Sequence, residues 1–301
     1  MLQNFDPRNE NIKVFVKDRL WEREDAKVSV FDSSVQGGDA VWEGLRIYNG
    51  KIFCFEKHLN RLRESAHALM FADIPGNDFI RNAVNLTLKA NGMRDGAHIR
   101  LTLTRGEKIT SGMDPRLNKK GSCLIVLAEW KAPVYDNTIG ITLVTSSVRR
   151  NNPQFLDSKI HHNNLLNNIL AKIQANLYGA DDALMLDESG FVSETNATNI
   201  FMIRNGELAT PLPDACLPGI TRGVVLEIAE RLVLKHEERR ISLTEFYNAE
   251  FVFTTGTMGE LTPVRSIDGR NIEMERGADV FQNICREFRR LTETEGEPLE
   301  F

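Results

Sequence analysis

One lysine, Lys159, lies in the stretch FLDSKIHHNN (Phe155 to Asn164), just ahead of a strongly patterned segment. From Asn163 the chain runs NNLLNNILAKIQANLYG, with Leu165, Leu166, Ile169, Leu170, Ile173 and Leu177 on one helical stripe and Gly179 available to end it. The pattern predicts a buried helix with Lys159 at its mouth. A lysine partly stripped of water there has its ammonium form disfavoured, which makes the amine a nucleophile able to form an imine. On this stretch alone, a solvated loop charge is the commoner fate of such a residue. Downstream, FVSETNATNIF (Phe191 to Phe201) sets Glu194 and a cluster of small hydrogen-bonding residues between two apolar strands. CLPGITR (Cys216 to Arg222) opens a helix whose first turn offers backbone N–H groups, a threonine hydroxyl and an arginine. FTTGTMGELTPV (Phe253 to Val264) adds a second Gly/Thr turn after a strand. The set is an amine, an acid and two anion cradles.

Pyridoxal phosphate (PLP) requires those parts: a lysine for its aldehyde, an acid for its ring nitrogen and donors for its phosphate. Lys159 with Asn163 four residues on, SETNATNIF, LPGITR and GTMGELTPV together resemble the class IV (fold-type IV) PLP-dependent aminotransferases, and most nearly the branched-chain amino acid aminotransferases, over about Val28 to Gly269. The resemblance implies a mixed α/β (α+β) fold of two domains. These are a smaller N-terminal α/β sandwich at 1–130, a linker at 131–138 and a larger C-terminal domain at 139–301 with a β-barrel-like sheet, PLP lying at the interface. It implies that Lys159 is catalytic, carries PLP and moves the substrate's Cα proton, while Glu194 keeps the ring nitrogen protonated. Arg61, Thr195, Asn196, Leu217, Gly219, Ile220, Thr221, Gly256 and Thr257 complete the implied cofactor set; Trp42, Arg100, Thr257 and Met258 are the implied substrate contacts. The implied reaction passes an amino group from leucine, isoleucine or valine to 2-oxoglutarate, in a homodimer or higher homo-oligomer. D-amino acid and amine transaminases and aminodeoxychorismate lyases of the same fold would use Lys159 and Glu194 alike, and a non-catalytic PLP-binding protein is the reading from another class. Three stretches depart from the branched-chain pattern: Asn164 replaces a usual tyrosine, the pair Met258-Gly259 replaces small residues, and His98 replaces an aromatic residue two before Arg100.

Several elements have to position these residues. Lys13 to Leu20 alternates as a strand, and WEGLRIY (Trp42 to Tyr48) forms another before an Asn49-Gly50 hairpin turn. Val41, Trp42 and Arg46 are pocket candidates on that strand, although a strand tryptophan is more often core. A helix from Glu56 to Phe71 carries His58, Leu59, Leu62, Ala66 and Met70. By pattern Arg61 is a surface charge or a cap; its H-x-x-R-L context resembles the family's phosphate-binding arginine. A second helix, Asp78 to Asn91, directs Phe79, Val84, Leu86 and Leu88 to the core, and Gly92 closes it. Ala97 to Thr104 alternates, putting His98, Arg100, Thr102 and Thr104 on one face. Arg116, in the loop from Arg105 to Gly121, reads as a solvated charge, although the resemblance to D-amino acid aminotransferases would make it an arginine that traps the substrate carboxylate; Arg149-Arg150 read as either cofactor neutralisers or surface charge. A helix from Ile220 to Leu234 turns Val224, Val225, Ile228 and Leu232 inward. The last helix, Val280 to Leu291, gives way to an acidic tail, TETEGEPLEF, expected to fray.

A chain of 301 residues with 42% hydrophobic content can bury a substantial core, which excludes general disorder. A net charge of −5 with scattered Lys and Arg gives no footprint for nucleic acid or an anionic membrane. Four cysteines without a CxxC pair suit reduced thiols, and no apolar run approaches spanning length. The expectation is a soluble cytoplasmic enzyme without a metal.

Overall fold

The computed structural model describes residues 4–301. In chain order it contains β1 (Lys13–Val16), β2 (Arg19–Glu22), α1 (Ser33–Gly37), β3 (Ala40–Tyr48), β4 (Lys51–Ile52), α2 (Phe55–Ala68), α3 (Asn77–Asn91), β5 (Ala97–Thr104) and β6 (Cys123–Trp130). There follow β7 (Ile141–Thr145), α4 (Leu166–Leu177), β8 (Asp182–Leu186), β9 (Val192–Thr195), β10 (Asn199–Arg204), β11 (Glu207–Pro211) and α5 (Ile220–Arg231). The chain ends with β12 (His236–Arg239), α6 (Leu243–Tyr247), β13 (Phe251–Gly256), β14 (Glu260–Ile267), β15 (Arg270–Asn271), α7 (Ala278–Thr294) and β16 (Glu297–Pro298). Two compact units result. The described residues up to Ala132 form the N-terminal unit with Ile160–Asn164 and Thr292–Phe301; Pro133–Lys159 and Leu165–Leu291 form the C-terminal unit.

In the N-terminal unit a seven-stranded sheet runs β16-β4-β3-β5-β6-β1-β2. Period-two alternation divides its faces. Val41, Leu45, Ile47, Ile99, Leu101, Leu103 and Val126 turn to one side, where α2 and α3 cover them with Leu59, Leu62, Ile80, Val84 and Leu88. The opposite face carries Trp42, Gly44 and Arg46 in register with Thr102, Arg100 and His98. The shared face expected for His98, Arg100, Thr102 and Thr104 is present, but His98, Thr102 and Thr104 are buried.

Four expectations are corrected here. Lys17, with φ +68°, breaks Lys13 to Leu20 into the hairpin β1–β2. In α3 the buried stripe is Ile80, Ala83, Val84, Thr87 and Leu88, so Phe79 and Leu86 are exposed. Met70 lies beyond the end of α2 at φ +54° and is also exposed. The acidic tail is ordered: Glu297 and Pro298 pair with Ile52 and Lys51, and Leu299 and Phe301 pack on the core.

In the C-terminal unit nine strands form a sheet ordered β12-β11-β10-β13-β14-β7-β8-β9, with β15 on β14. β9 returns close to β10 and β11, so the sheet curls into a half-barrel. Its core holds Ile141, Leu143, Leu184, Ile200, Met202, Val252 and Val264, beside a stack of Phe201 on Phe253 at 5.2 Å. Helix α5 buries Val224, Val225, Ile228 and Ala229, while Leu232 is partly exposed just past its end. Helix α4 reverses its predicted orientation. Ala171 and Ala175 pack against Ala183 and Met185 of β8, whereas Leu166, Ile169, Leu170, Ile173 and Leu177 are all exposed. Two alanines let the backbone approach the sheet closely, and that leaves the larger side chains on the outer side.

Candidate active site

Lys159 occupies a turn in which its backbone N–H donates to Asp157 Oδ1 at 2.9 Å, and its side chain is exposed. The desolvation expected from a buried helix is therefore not present: α4 begins only at Leu166 and its apolar face points outward. Ile160–Asn164, the next five residues, belong to the N-terminal unit.

Glu194 lies near the end of β9 and is buried. Arg150 Nη2 contacts its Oε1 at 2.8 Å and Asn199 Nδ2 donates to its Oε2 at 3.1 Å. Burial pushes the Glu194 carboxyl above its ordinary range, against the opposing pull of Arg150 and of the Leu217 N–H that donates to it. The surrounding SETNATN residues build the turn that holds it. Thr195 Oγ1 accepts from the backbone of Ala197 and Thr198 and lies 2.7 Å from Thr198 Oγ1. Asn196 Oδ1 accepts from Ala183 N at 2.7 Å, and its carbonyl accepts from Asn168 at 2.8 Å. Thr195 thus directs its hydroxyl into the turn, while Asn196 ties the turn to β8 and α4.

Asn199 joins this turn to the next motif, because its Nδ2 also donates to Leu217 O at 2.8 Å. Gly219 packs so tightly on Asn199 that an added Cβ would lie 2.1 Å from Oδ1. That glycine is the N-cap of α5, and no side chain caps it among the described residues, which leaves the N–H groups of the first turn without a side-chain acceptor; Ile220 there is half-buried and Thr221 buried. The arginine of LPGITR turns away: Arg222 Nη2 donates to Pro211 O at 2.9 Å and to Glu238 at 2.5 Å. At the end of β13, Gly256 approaches Thr198, and the Thr255 hydroxyl is buried without a partner among the described residues. Met258 O accepts from Val134 N at 3.2 Å, and Gly259 O from Asn137 Nδ2 at 3.1 Å, which fixes the turn after Thr257. Burial, helped by the Glu194 charge, pushes the Cys216 thiol upward, while Arg222, Arg150 and Lys159 pull it down, placing these charges in one neighbourhood. The C-terminal unit therefore brings together Lys159, Glu194, Leu217, Gly219, Ile220 and Thr221, with Gly256 beside Thr198 and Thr257 next in the chain.

Arg61, Trp42 and Arg100 belong to the N-terminal unit. Arg61 Nε and Nη2 grip the two oxygens of Glu43 at 2.8 and 2.7 Å, and His58 Nδ1 contacts Oε2 at 2.6 Å. His161 Nδ1 lies 3.2 Å from Oε1. Burial works against the Glu43 charge, yet His161 and Arg61 beside it hold its carboxyl well below the usual carboxylate range. His161 is itself pushed down to about 4, by burial first. At neutral pH the compensating charge is therefore that of Arg61. Trp42 is sandwiched, its ring 4.0 Å from that of His161 and 3.5 Å from the Arg100 guanidinium. Arg100 Nη2 also donates to Asn163 Oδ1 at 3.1 Å. Asn164 Nδ2 donates to Gly38 O at 3.0 Å, and Trp42 N to His161 O at 2.9 Å. Burial lowers the His98 imidazole to about 3, helped by Lys131, Arg46 and Arg100. Arg116 is exposed and paired with Asp114 at 2.5 Å, as a solvated loop charge is.

The sequence did not single out Glu43 or His161, and it left Arg150 between a cofactor neutraliser and a surface charge. Glu43 carried a usable signal, since period two puts this acid on the apolar side of β3 with Val41 and Leu45. Arg150 and His161 gave none, because their partners are set by tertiary packing.

The family model for class IV amino-transferases matches residues 40–267. The chain belongs to the class IV aminotransferases. Within them it is 57% identical, over 97% of its length, to branched-chain-amino-acid aminotransferase-like protein 2 of Arabidopsis thaliana; it spans 52%, about half, of that relative. It is 33% identical to the branched-chain-amino-acid aminotransferase of Pseudomonas aeruginosa over 91% of each chain. The branched-chain amino acid aminotransferase of Thermobaculum terrenum, solved in its PLP form, superposes with a TM-score of 0.83 at 27% identity, covering 94% of this chain and 95% of that one. Fold-type IV and the branched-chain aminotransferase family are thereby shown, with two sheets of which one is a half-barrel. Among the described residues no group of His, Cys, Asp or Glu is placed to hold a metal ion, and no helix is long and apolar enough to cross a membrane.

Proposed function

We propose that this class IV aminotransferase is a PLP-dependent, cytoplasmic transaminase that passes the amino group of leucine, isoleucine or valine to 2-oxoglutarate. The observation that carries the reading is the C-terminal unit's combination of an exposed lysine, a buried acid held by three donors and an uncapped helix N-terminus. These residues fit PLP: the α5 N–H groups and the Thr221 hydroxyl suit its phosphate, Glu194 suits its ring nitrogen, and the buried Thr255 hydroxyl leaves a polar atom to be satisfied. When bound, PLP supplies an aldehyde for amine exchange and a ring that withdraws electrons. Lys159 Nζ would hold the cofactor by its aldehyde carbon and, once the incoming amine has displaced it, the freed amine would take up the proton from the substrate's Cα. Glu194 would hold the proton on the ring nitrogen, and the Thr257-Met258 turn would present N–H groups to the substrate carboxylate. The proposal keeps the phosphate role for Arg61 and the substrate roles for Trp42 and Arg100. The branched-chain assignment is supported by the names of the relatives, and the cofactor by the one solved in its PLP form.

A homo-oligomer is part of the proposal, supported by five large apolar residues exposed along α4. Placing lysine at both Leu170 and Ile173 should dissociate it in sedimentation velocity without loss of helical signal; an unchanged sedimentation profile would remove that support. The substrate test is a spectroscopic panel of L- and D-amino acids and amines with the PLP-loaded protein. Conversion with L-leucine, L-isoleucine and L-valine is expected. Turnover of D-alanine without L-leucine, or pyruvate release without an amino acceptor, would replace the assignment with a D-specific transaminase or a lyase.

A further inference from the structure

We propose that Arg150 is a positioning residue that sets the charge of Glu194, and so decides whether this acid meets the cofactor's ring nitrogen as a carboxylate or as a neutral acid. The inference rests on the reading of Glu194 given above. Arg150 approaches Glu194 Oε1 at 2.8 Å, with both side chains only 8% exposed. Its other arm is fixed, Nη1 donating to Asn168 Oδ1 at 3.1 Å, and its backbone N–H is bonded to Leu186 O at 3.0 Å. Asn168 is anchored in turn by its bond to Asn196 O. The guanidinium is therefore held from two sides and cannot follow the carboxylate if that group turns away.

The other charged and titratable groups around Glu194 do not replace it. Arg222 of α5 also pulls the Glu194 carboxyl down by its charge, but less than Arg150 does, and its guanidinium is turned to Pro211 O and Glu238. Cys216, in the loop before α5, is buried with its thiol pushed upward and stays neutral. Lys159 is exposed in its turn. The remaining contacts, Asn199 Nδ2 and the Leu217 N–H, are neutral donors. Arg150 Nε has no partner among the described residues although it is buried. A buried guanidinium with an unmet donor destabilises a fold relative to an apolar side chain of similar volume. A requirement for positive charge at Glu194 accounts for that arrangement. Without it, burial favours the protonated acid, which donates a hydrogen bond where a carboxylate accepts one, and the ring nitrogen then loses its proton partner.

The test compares wild type, Arg150→Met, Arg150→Lys, Glu194→Gln and the Arg150→Met/Glu194→Gln pair, each checked for folding by circular dichroism. Infrared difference spectra, cofactor-free and PLP-loaded, read the protonated-carboxyl band that Glu194→Gln removes. At neutral pH that band is expected in Arg150→Met and absent from wild type and Arg150→Lys. In the loaded protein Arg150→Met should slow the amino-acid half-reaction by about tenfold or more, one pKa unit of lost charge stabilisation or greater. Arg150→Lys should restore most of the rate, and Arg150→Met should add little on the Glu194→Gln background. Wild-type and Arg150→Met spectra that coincide, or losses that multiply in the pair, would overturn the inference; if Arg150→Met does not fold, a protonated-acid band in Arg150→Lys as strong as expected for Met does the same. Because the infrared readout needs no substrate, absence of turnover with every amine would refute the proposed function while leaving the role of Arg150 decided by its spectrum.

Discussion

Replacing Gly219 by alanine tests whether the α5 N-terminus and the Glu194 turn are one packed unit. The glycine's own backbone, φ −61° and ψ 141°, is open to any residue, so the effect of Gly219→Ala is steric. The new Cβ would lie 2.1 Å from Asn199 Oδ1 and 3.3 Å from its Cγ, which requires a displacement of about 1 Å to reach ordinary contact. If Asn199 yields, it gives up its bonds to Glu194 Oε2 and Leu217 O, worth about 1 to 3 kcal/mol each. If the loop before α5 yields instead, overpacking costs about 1 to 3 kcal/mol. The two ranges overlap at about 2 to 3 kcal/mol, the loss expected, read as a lower urea midpoint, with weaker PLP binding because the first-turn N–H groups move. Asn199→Ala removes the atom that collides. In that background Gly219→Ala should therefore cost less than about 1 kcal/mol, giving a coupling energy of roughly 1 to 3 kcal/mol. Full additivity of the two substitutions, or an unchanged urea midpoint in Gly219→Ala, would refute the packing argument.

Acid sensitivity follows from imidazoles that burial keeps neutral, His161 and His98 among them. His161 and His98 are held to about 4 and about 3, so the unfolded chain takes up their protons first, and stability is full above the ordinary histidine range and falls as pH drops through it. Between pH 7 and pH 5 each should withdraw about 2 kcal/mol; urea titrations of His98→Gln and His161→Asn with slopes as steep as wild type would contradict this. Glu43→Gln removes the charge facing Arg61 and should destabilise by about 3 to 5 kcal/mol. Glu43→Gln/Arg61→Met should recover part of that loss, and a pair less stable than the single variant would count against Arg61 as the compensating cation.

The legible part of the chain was the part governed by local rules. Period two gave β3 and β5 with the right faces, and Gly92 closed α3 at φ +66°, where a left-handed cap favours glycine. The motifs around Lys159, Glu194 and Gly219 pointed to the family because their order along the chain is itself information. What failed was orientation against neighbours that are distant in sequence. Leu165 to Leu177 has the pattern of a buried helix, yet periodicity says only that one face is apolar; the alanines of α4 and β8 decide which face meets the sheet. The tail looked free because its partner strand, β4, lies some 245 residues earlier. By pattern alone Arg61 and Arg150 could be surface charges, because a sequence does not show that Glu43 and Glu194 lie 2.7 and 2.8 Å away; the H-x-x-R-L context raised Arg61 to a phosphate ligand, and nothing comparable decided Arg150.

The proposed chemistry depends on the amine of Lys159 carrying PLP. Borohydride reduction of the PLP-loaded protein followed by peptide mapping measures this attachment. A phosphopyridoxyl mass on the peptide containing Lys159, and its loss in Lys159→Ala, are the expected results; the mass on another lysine, or on none, would contradict the assignment.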